Sequence, residues 1–228
     1  MPRVLVVADE IVPSLWSEQV RDYRVDLVLG AGDLPFDYLE FLTTALDCPG
    51  VLVPGNHDPD LSGFTVHGGL SLRDGFPMPW PGPAGWLNAD GRVVDIGGLR
   101  IAGLGGSIRY NDGPNQWTER QQARRARRLV RAAHRRYRKD GQPVDILLTH
   151  SPPRNVGDRT DRPHRGFECL HKTVDILRPD VLLHGHIHPY GERLAEHHLG
   201  DTRVVNVVAH RLFEIRSGQP AREVHRAK

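Results

Sequence analysis

The sequence predicts an α/β fold of two mixed β-sheets packed face to face, with helices on the outside. Three observations carry this expectation. In the first half, short apolar runs alternate with helical patterns at the spacing of βαβ units. Two short runs at 92–96 and 99–104 are joined by Gly97-Gly98, a strong hairpin signal. Beyond one long helical pattern the chain alternates again and closes on strand-like runs.

Taken in order, 3–8 reads as a strand, a helix falls within 14–23, 27–29 is a strand, 35–46 a helix and 51–53 a strand. The segment 60–88 is rich in Gly and Pro and reads as a long irregular excursion, of the kind compact domains keep mainly to serve a site. The longest helix starts near Thr118, where Gln121 completes a capping box, and stops at Asp140-Gly141. Ala123, Ala126, Leu129, Val130, Ala133 and Tyr137 recur at helical spacing and leave the arginines on the outer face. Then 144–149 is a strand, 166–177 a helix ended by Pro179, and 181–184 a strand. Further strands are expected at 192–197, 202–208 and 212–215, forming the second sheet with the hairpin. The whole span 1–228 reads as a single domain, with the 60–90 excursion and an Arg-rich helix at 117–139 as its decorations.

At 228 residues the chain can bury a substantial core. No run approaches the roughly 20 apolar residues of a membrane span, and the first strand begins too early for a secretory signal. Cys48 and Cys169 are too few for a disulfide framework and fit free thiols in a reducing cytoplasm. The formal charge of +2 is uneven. Residues 119–139 hold nine arginines and one lysine against one acid, so the remainder carries about −7.

Five apolar runs end on residue types that bind metal: Asp9, Asp33, Asn56-His57-Asp58, His150 and His184-Gly185-His186-Ile187-His188. In an α/β fold, residues just past the carboxyl ends of neighbouring strands converge on one crevice. Asp and Asn oxygens with His nitrogens suit Mn²⁺, Fe²⁺ or Zn²⁺, and no thiolate cluster points to a structural zinc. A carboxylate such as Asp33 can bridge two ions, which can then activate water and clamp a phosphate. An uncoordinated histidine at the rim can protonate a leaving oxygen.

Gly32-Asp33, Gly55-Asn56-His57-Asp58, Thr149-His150 and Gly185-His186-Ile187-His188, in this order, resemble the calcineurin-like metallophosphoesterase superfamily over about residues 3 to 210. The resemblance implies a four-layer α/β/β/α sandwich and a dinuclear centre holding two divalent ions, Mn²⁺ foremost, with Fe, Zn, Ni or Mg as alternatives. It implies one ion on Asp33, Asn56, His150 and His186, and the other on Asp9, Asp33 and His188. His57 would meet the phosphate and assist the leaving group as a metal-bound hydroxide attacks a small phosphodiester or phosphomonoester. The family's opening Asp-x-His reads Asp9-Glu10-Ile11 here, so the first ion lacks a ligand and its site is expected to be weak or empty. Glu10 is the only nearby substitute; alternation along an extended segment would point it away from Asp9 unless a bend at the strand end brings it back. Many members carry an acid three residues after the bridging Asp. Here that position is Phe36 and the acid is Asp37, so Asp58 is the better candidate to anchor the loop through backbone amides.

His184 is assigned to support behind the site, and Asn206 or His210 to a lesser supporting role. His67, His134, His171, His197, His198 and His225 belong to no motif and default to the surface. The loop 151–167 follows His150 directly, and His164 and Arg165 are its candidates for substrate contact. Two other functions compete with hydrolysis. One is nucleic-acid binding or processing through the Arg-rich helix, whose ordinary reading is a solvated face. The other is a scaffold that lost turnover with the histidine at residue 11.

Overall fold

The computed structural model describes residues 1–67, 70–191 and 195–224. In chain order its strands are β1 (Arg3–Ala8), β2 (Leu27–Gly30), β3 (Gly50–Leu52), β4 (Phe64–His67), β5 (Leu70–Arg73), β6 (Phe76–Pro77), β7 (Trp86–Asn88), β8 (Val93–Ile96), β9 (Leu99–Leu104), β10 (Ser107–Ile108), β11 (Gln116–Trp117), β12 (Ile146–Thr149), β13 (Val181–His184), β14 (His197–Leu199), β15 (Thr202–Asn206), β16 (Ala209–Glu214) and β17 (Arg222–Glu223). The helices are α1 (Phe36–Leu46), α2 (Glu119–Asp140) and α3 (Cys169–Leu177), with a 3-10 helix at Glu18–Tyr23 inside the helical segment expected at 14–23.

Two six-stranded mixed sheets form the body, in the orders β17-β16-β1-β2-β3-β7 and β14-β15-β13-β12-β9-β8. Period-two alternation sorts the side chains into three layers of core. Val4, Val6, Leu27 and Leu29 face Ile101, Ile146, Leu148, Val181 and Leu183 between the sheets. The alternate residues Leu5, Val7 and Val28 meet Tyr38, Leu39 and Leu42 of α1. On the far side, Leu147, Leu182 and Ala102 meet Leu129 and Ala133 of α2 and Leu170 and Val174 of α3. The strands are buried on both faces, which is why they read as unbroken apolar runs. The result is the α/β/β/α sandwich.

Thr118 caps α2 with a reciprocal capping box through Gln121, and Gly141 closes it at a φ of 74°. The Gly97-Gly98 hairpin joins β8 to β9 as expected.

Four expectations need correction. The 60–88 segment is not irregular throughout: β4, β5 and β6 form a three-stranded antiparallel sheet, and β7 joins the first large sheet. Asp74-Gly75, with φ of 51° and 84°, is the two-residue positive-φ turn that Asp-Gly favours in hairpins. The strand expected at 212–215 belongs to the first sheet, because β16 runs antiparallel to β1 from Arg3↔Glu214 to Ala8↔Ala209. The helix expected from 166 starts at Cys169, because Gly166 and Phe167 are tied to the loop by their amides. The strand expected at 192–197 starts at His197. Its residues 192–194, and His225, lie outside the described residues.

Candidate metal centre

β1, β2, β12 and β13 run parallel within their sheets, so their carboxyl ends deliver the chain to one edge of the sandwich. Three of the residues delivered there, Asp9, Asp33 and His186, have φ of 63°, 59° and 67°. Residues with a β-carbon seldom adopt this region, and such strain persists where surrounding contacts over-determine it. Those contacts are present. Asp58 Oδ2 accepts the Asp33 amide at 3.0 Å and the Gly55 amide at 2.7 Å. Asp33 Oδ1 accepts the His57 amide at 2.8 Å, and Asp9 Oδ2 accepts the His186 amide at 2.9 Å. Gly55 and Gly185 admit these carboxylates: a Cβ on the first would overlap the Asp33 carboxylate, and on the second Asp9 Oδ2.

Asp33, His150 and His186 offer ligand atoms that all lie within 4.8 Å of one another. His150 is fully buried. Its Nδ1 donates to the Ala31 carbonyl at 2.7 Å, so Nε2 faces Asn56 Oδ1 at 3.0 Å and Asp33 Oδ2 at 3.3 Å. His186 Nε2 donates to the Pro163 carbonyl at 2.9 Å, which leaves Nδ1 with the lone pair. Asp9 and His188 stand outside this tight group.

The charges follow from burial and neighbours. Burial alone would lower the His150 pKa, but the Asp33 carboxylate outweighs it and raises it to about 9. Burial would raise Asp33, yet His150 first, then the His57 amide, bring it to about 2. Burial lifts Asp9 to about 6 despite His150. Burial, reinforced by His150, lowers His186 to about 3, so it is neutral at pH 7.

The strand-end bend also redirects Glu10. The left-handed Asp9, followed by a tight turn from the Glu10 amide to the Ala8 carbonyl, breaks the alternation that would have pointed Glu10 away. Its Oε1 instead lies 2.9 Å from His188 Nδ1, while Ile11 is exposed.

The remaining expected residues divide. The backbone of His57 is locked to Asp33 and its residue is exposed at the rim. The His164 ring lies 5.3 Å from that of His186, held by Asp161 at 2.6 Å; Arg165 is exposed. His184 is buried, its Nδ1 2.9 Å from the Gly185 carbonyl, and burial lowers its pKa to about 4. Asn206 donates to the Ile187 carbonyl at 2.8 Å and so braces the Gly-His-x-His loop. His210 lies away from the site, opposite Val7 with its ring toward Tyr23. Asp37 accepts the neighbouring Tyr38 amide in the first turn of α1.

Two residues went unread in the sequence. Tyr110 OH accepts from Asn56 Nδ2 at 3.1 Å and so turns Asn56 Oδ1 toward His150. Buried Asn115 Nδ2 donates to the carbonyls of Gly55 and Asp58, each at 2.9 Å, bracing the Gly-Asn-His-Asp loop from behind. The one sequence signal was Gly105-Gly106 after the apolar end of β9, a further strand tip, whose Gly106 amide bonds the Pro54 carbonyl at 2.8 Å.

Comparison with curated proteins gives no match. Among solved structures, TT1561 of Thermus thermophilus aligns at 15 % identity over 96 % of this chain and 98 % of its own, with a TM-score of 0.60. A single mutant of Vps29 from Entamoeba histolytica aligns at 18 % identity over 94 % and 87 %, with a TM-score of 0.43. At such identities a likeness speaks to the fold alone, and only the former, by its TM-score, carries it. The family model described as calcineurin-like phosphoesterase matches residues 6–190, a span that runs from the first strand past the last histidine of the site. With the sandwich and its strand-end constellation in place, the chain belongs to the calcineurin-like phosphoesterase family.

Proposed function

We propose that the protein is a metal-dependent phosphoesterase that hydrolyses a phosphodiester or phosphomonoester of modest size. The observation that carries this reading is the convergence of Asp33, His150 and His186 within 4.8 Å, with Asn56 Oδ1 beside His150 Nε2. The donor set fits a divalent cation: an ionised carboxylate, an amide oxygen and imidazoles with defined tautomers, cradled by glycines that a Cβ would fill. In this reading Asp33, Asn56, His150 and His186 hold one ion, and Asp9, Asp33 and His188 the other. Mn²⁺ is the first choice, with Fe, Zn, Ni or Mg as alternatives. Bound there, such ions supply Lewis acidity and lower the pKa of water.

The chain's own groups do the rest. His57, fixed by its amide to Asp33 and exposed at the rim, meets the phosphate and protonates the leaving oxygen. His164 and Arg165 contact the substrate from the loop after His150. Asp58 holds the amides of Asp33 and Gly55 in place, and His184 packs behind. Glu10 engages Nδ1 of His188 and leaves its Nε2 for the ion, an outer carboxylate of the kind that orients metal-bound imidazoles. With Ile11 in place of a ligand, the second set is the weaker. Two free cysteines support a reducing, cytoplasmic setting.

The test is metal content per chain measured beside hydrolysis of a generic aryl phosphodiester and monoester with Mn²⁺ added. Turnover is expected, and His57→Ala should lower kcat by about 10²–10⁴-fold with metal content unchanged. Metal uptake without turnover on either ester would favour the degenerate scaffold. His57→Ala with full activity would sink the assigned role.

A further inference from the structure

The outer face of α2 carries a charge pattern that the centre does not use. Arg120, Arg124, Arg127, Arg131, Arg135 and Arg138 follow one another at steps of four, three, four, four and three residues. At 3.6 residues per turn these six fall within an arc of about 80°, opposite the buried Gln122, Ala126, Leu129 and Ala133. At a rise of about 1.5 Å per residue the stripe is about 27 Å long. All six are exposed, and among the described residues none forms an ion pair. Arg128 adds a seventh charge beside them, also exposed.

The arginines at the border of the stripe behave differently. Arg125 is paired with Asp90 and Arg136 with Asp95. The one acid of the first turn, Glu119, accepts the amides of Glu168 and Cys169 at the start of α3. The stripe therefore has no acid of its own. A merely solvated helix face mixes both signs at i, i+4, whereas like charges at that spacing repel and weaken the helix. That repulsion is relieved by a linear polyanion laid along the stripe.

We infer that this face of α2 docks the phosphate backbone of a nucleic acid. A line of guanidiniums about 27 Å long exceeds anything a small phosphoester can span, and guanidiniums engage phosphate oxygens through paired N–H groups. A membrane surface fits less well, because the apolar side of α2 that would enter a bilayer is packed into the core. The inference is independent of catalysis at the metal centre, which lies on other elements.

Fluorescence anisotropy of a labelled 24-base-pair duplex of mixed sequence, titrated with the whole protein at 50 to 200 mM NaCl, tests it. Six neutralised phosphates give a slope of log K against log salt near −5, so affinity should fall on the order of a thousand-fold across that range. Arg124→Gln, Arg127→Gln, Arg131→Gln and Arg135→Gln together should bring the slope to about −2, and either adjacent pair alone should remove about two. Glutamine keeps helix propensity, so circular dichroism should match the parent. The inference is overturned if the duplex does not bind at 50 mM salt, or if the variants leave the slope unchanged. It is also overturned if phosphatidylserine vesicles bind and the duplex does not.

Discussion

Between pH 6.5 and 9, the stability of the metal-free protein should follow one proton at the centre of the site. His150 is fully buried, with Nδ1 on the Ala31 carbonyl and Nε2 3.3 Å from Asp33 Oδ2. Burial opposes its charge, but Asp33 prevails and raises the pKa from 6.5 to about 9. A histidine whose folded pKa is raised contributes stability that is complete below pH 6.5 and lost as pH climbs through 9. The shift corresponds to on the order of 3 kcal/mol. Few other groups with resolved shifts titrate in that window: Asp9 and Asp180 lie near 6, His184 and His186 stay neutral throughout, and burial pushes the Cys48 thiol up to about 11. A cation at Nε2 takes the place of the proton, so uptake at pH 7 should release about one proton. Apparent affinity should rise about tenfold per pH unit up to about 9. Urea unfolding of chelator-treated protein measures the first effect. Calorimetric Mn²⁺ titration in two buffers of different ionisation enthalpy measures the second. Stability that stays flat from pH 6.5 to 9, together with no proton release, would refute the assignment of a charged His150 held by Asp33.

Asp58→Ala removes the acceptor shared by the Asp33 and Gly55 amides. With about 1–3 kcal/mol for each donor left unpaired, unfolding free energy should drop by roughly 2–6 kcal/mol, read by denaturant titration with metal content measured alongside. Ile11→His restores the family's opening motif and should raise Mn²⁺ stoichiometry toward two per chain; equilibrium dialysis with no second equivalent bound would count against an incomplete set at Asp9 and His188. Tyr110→Phe frees the Asn56 amide to rotate. Metal affinity should fall about 10–100-fold, as for other groups that orient a ligand, while the melting temperature changes little.

Much of this architecture is legible in the sequence because it is written in local periodicity. The apolar runs at β1, β2, β12 and β13 mark strands buried on both faces, and Thr118 with Gln121 marks where α2 is capped. The ligand types are legible too, since Asp33, His150 and His186 each stand at or just beyond a strand end. The excursion at 60–88 misreads because its Gly and Pro content masks short two-sided strands, of which β5 and β6 are joined by the Asp74-Gly75 turn.

Residue order alone therefore determines the layers, through period and turn chemistry along a few residues, and the family, through its ordered Gly-Asp, Gly-Asn-His-Asp and Gly-His-x-His motifs. Which nitrogen of each histidine is free, where Glu10 points, and that Tyr110 and Asn115 hold the Gly-Asn-His-Asp loop are decided only by the tertiary structure. Those facts rest on hydrogen bonds between segments far apart in sequence and on left-handed backbone at Asp9, Asp33 and His186. No local pattern encodes them, since each bond exists only once the two sheets have packed and brought their strand ends to one edge.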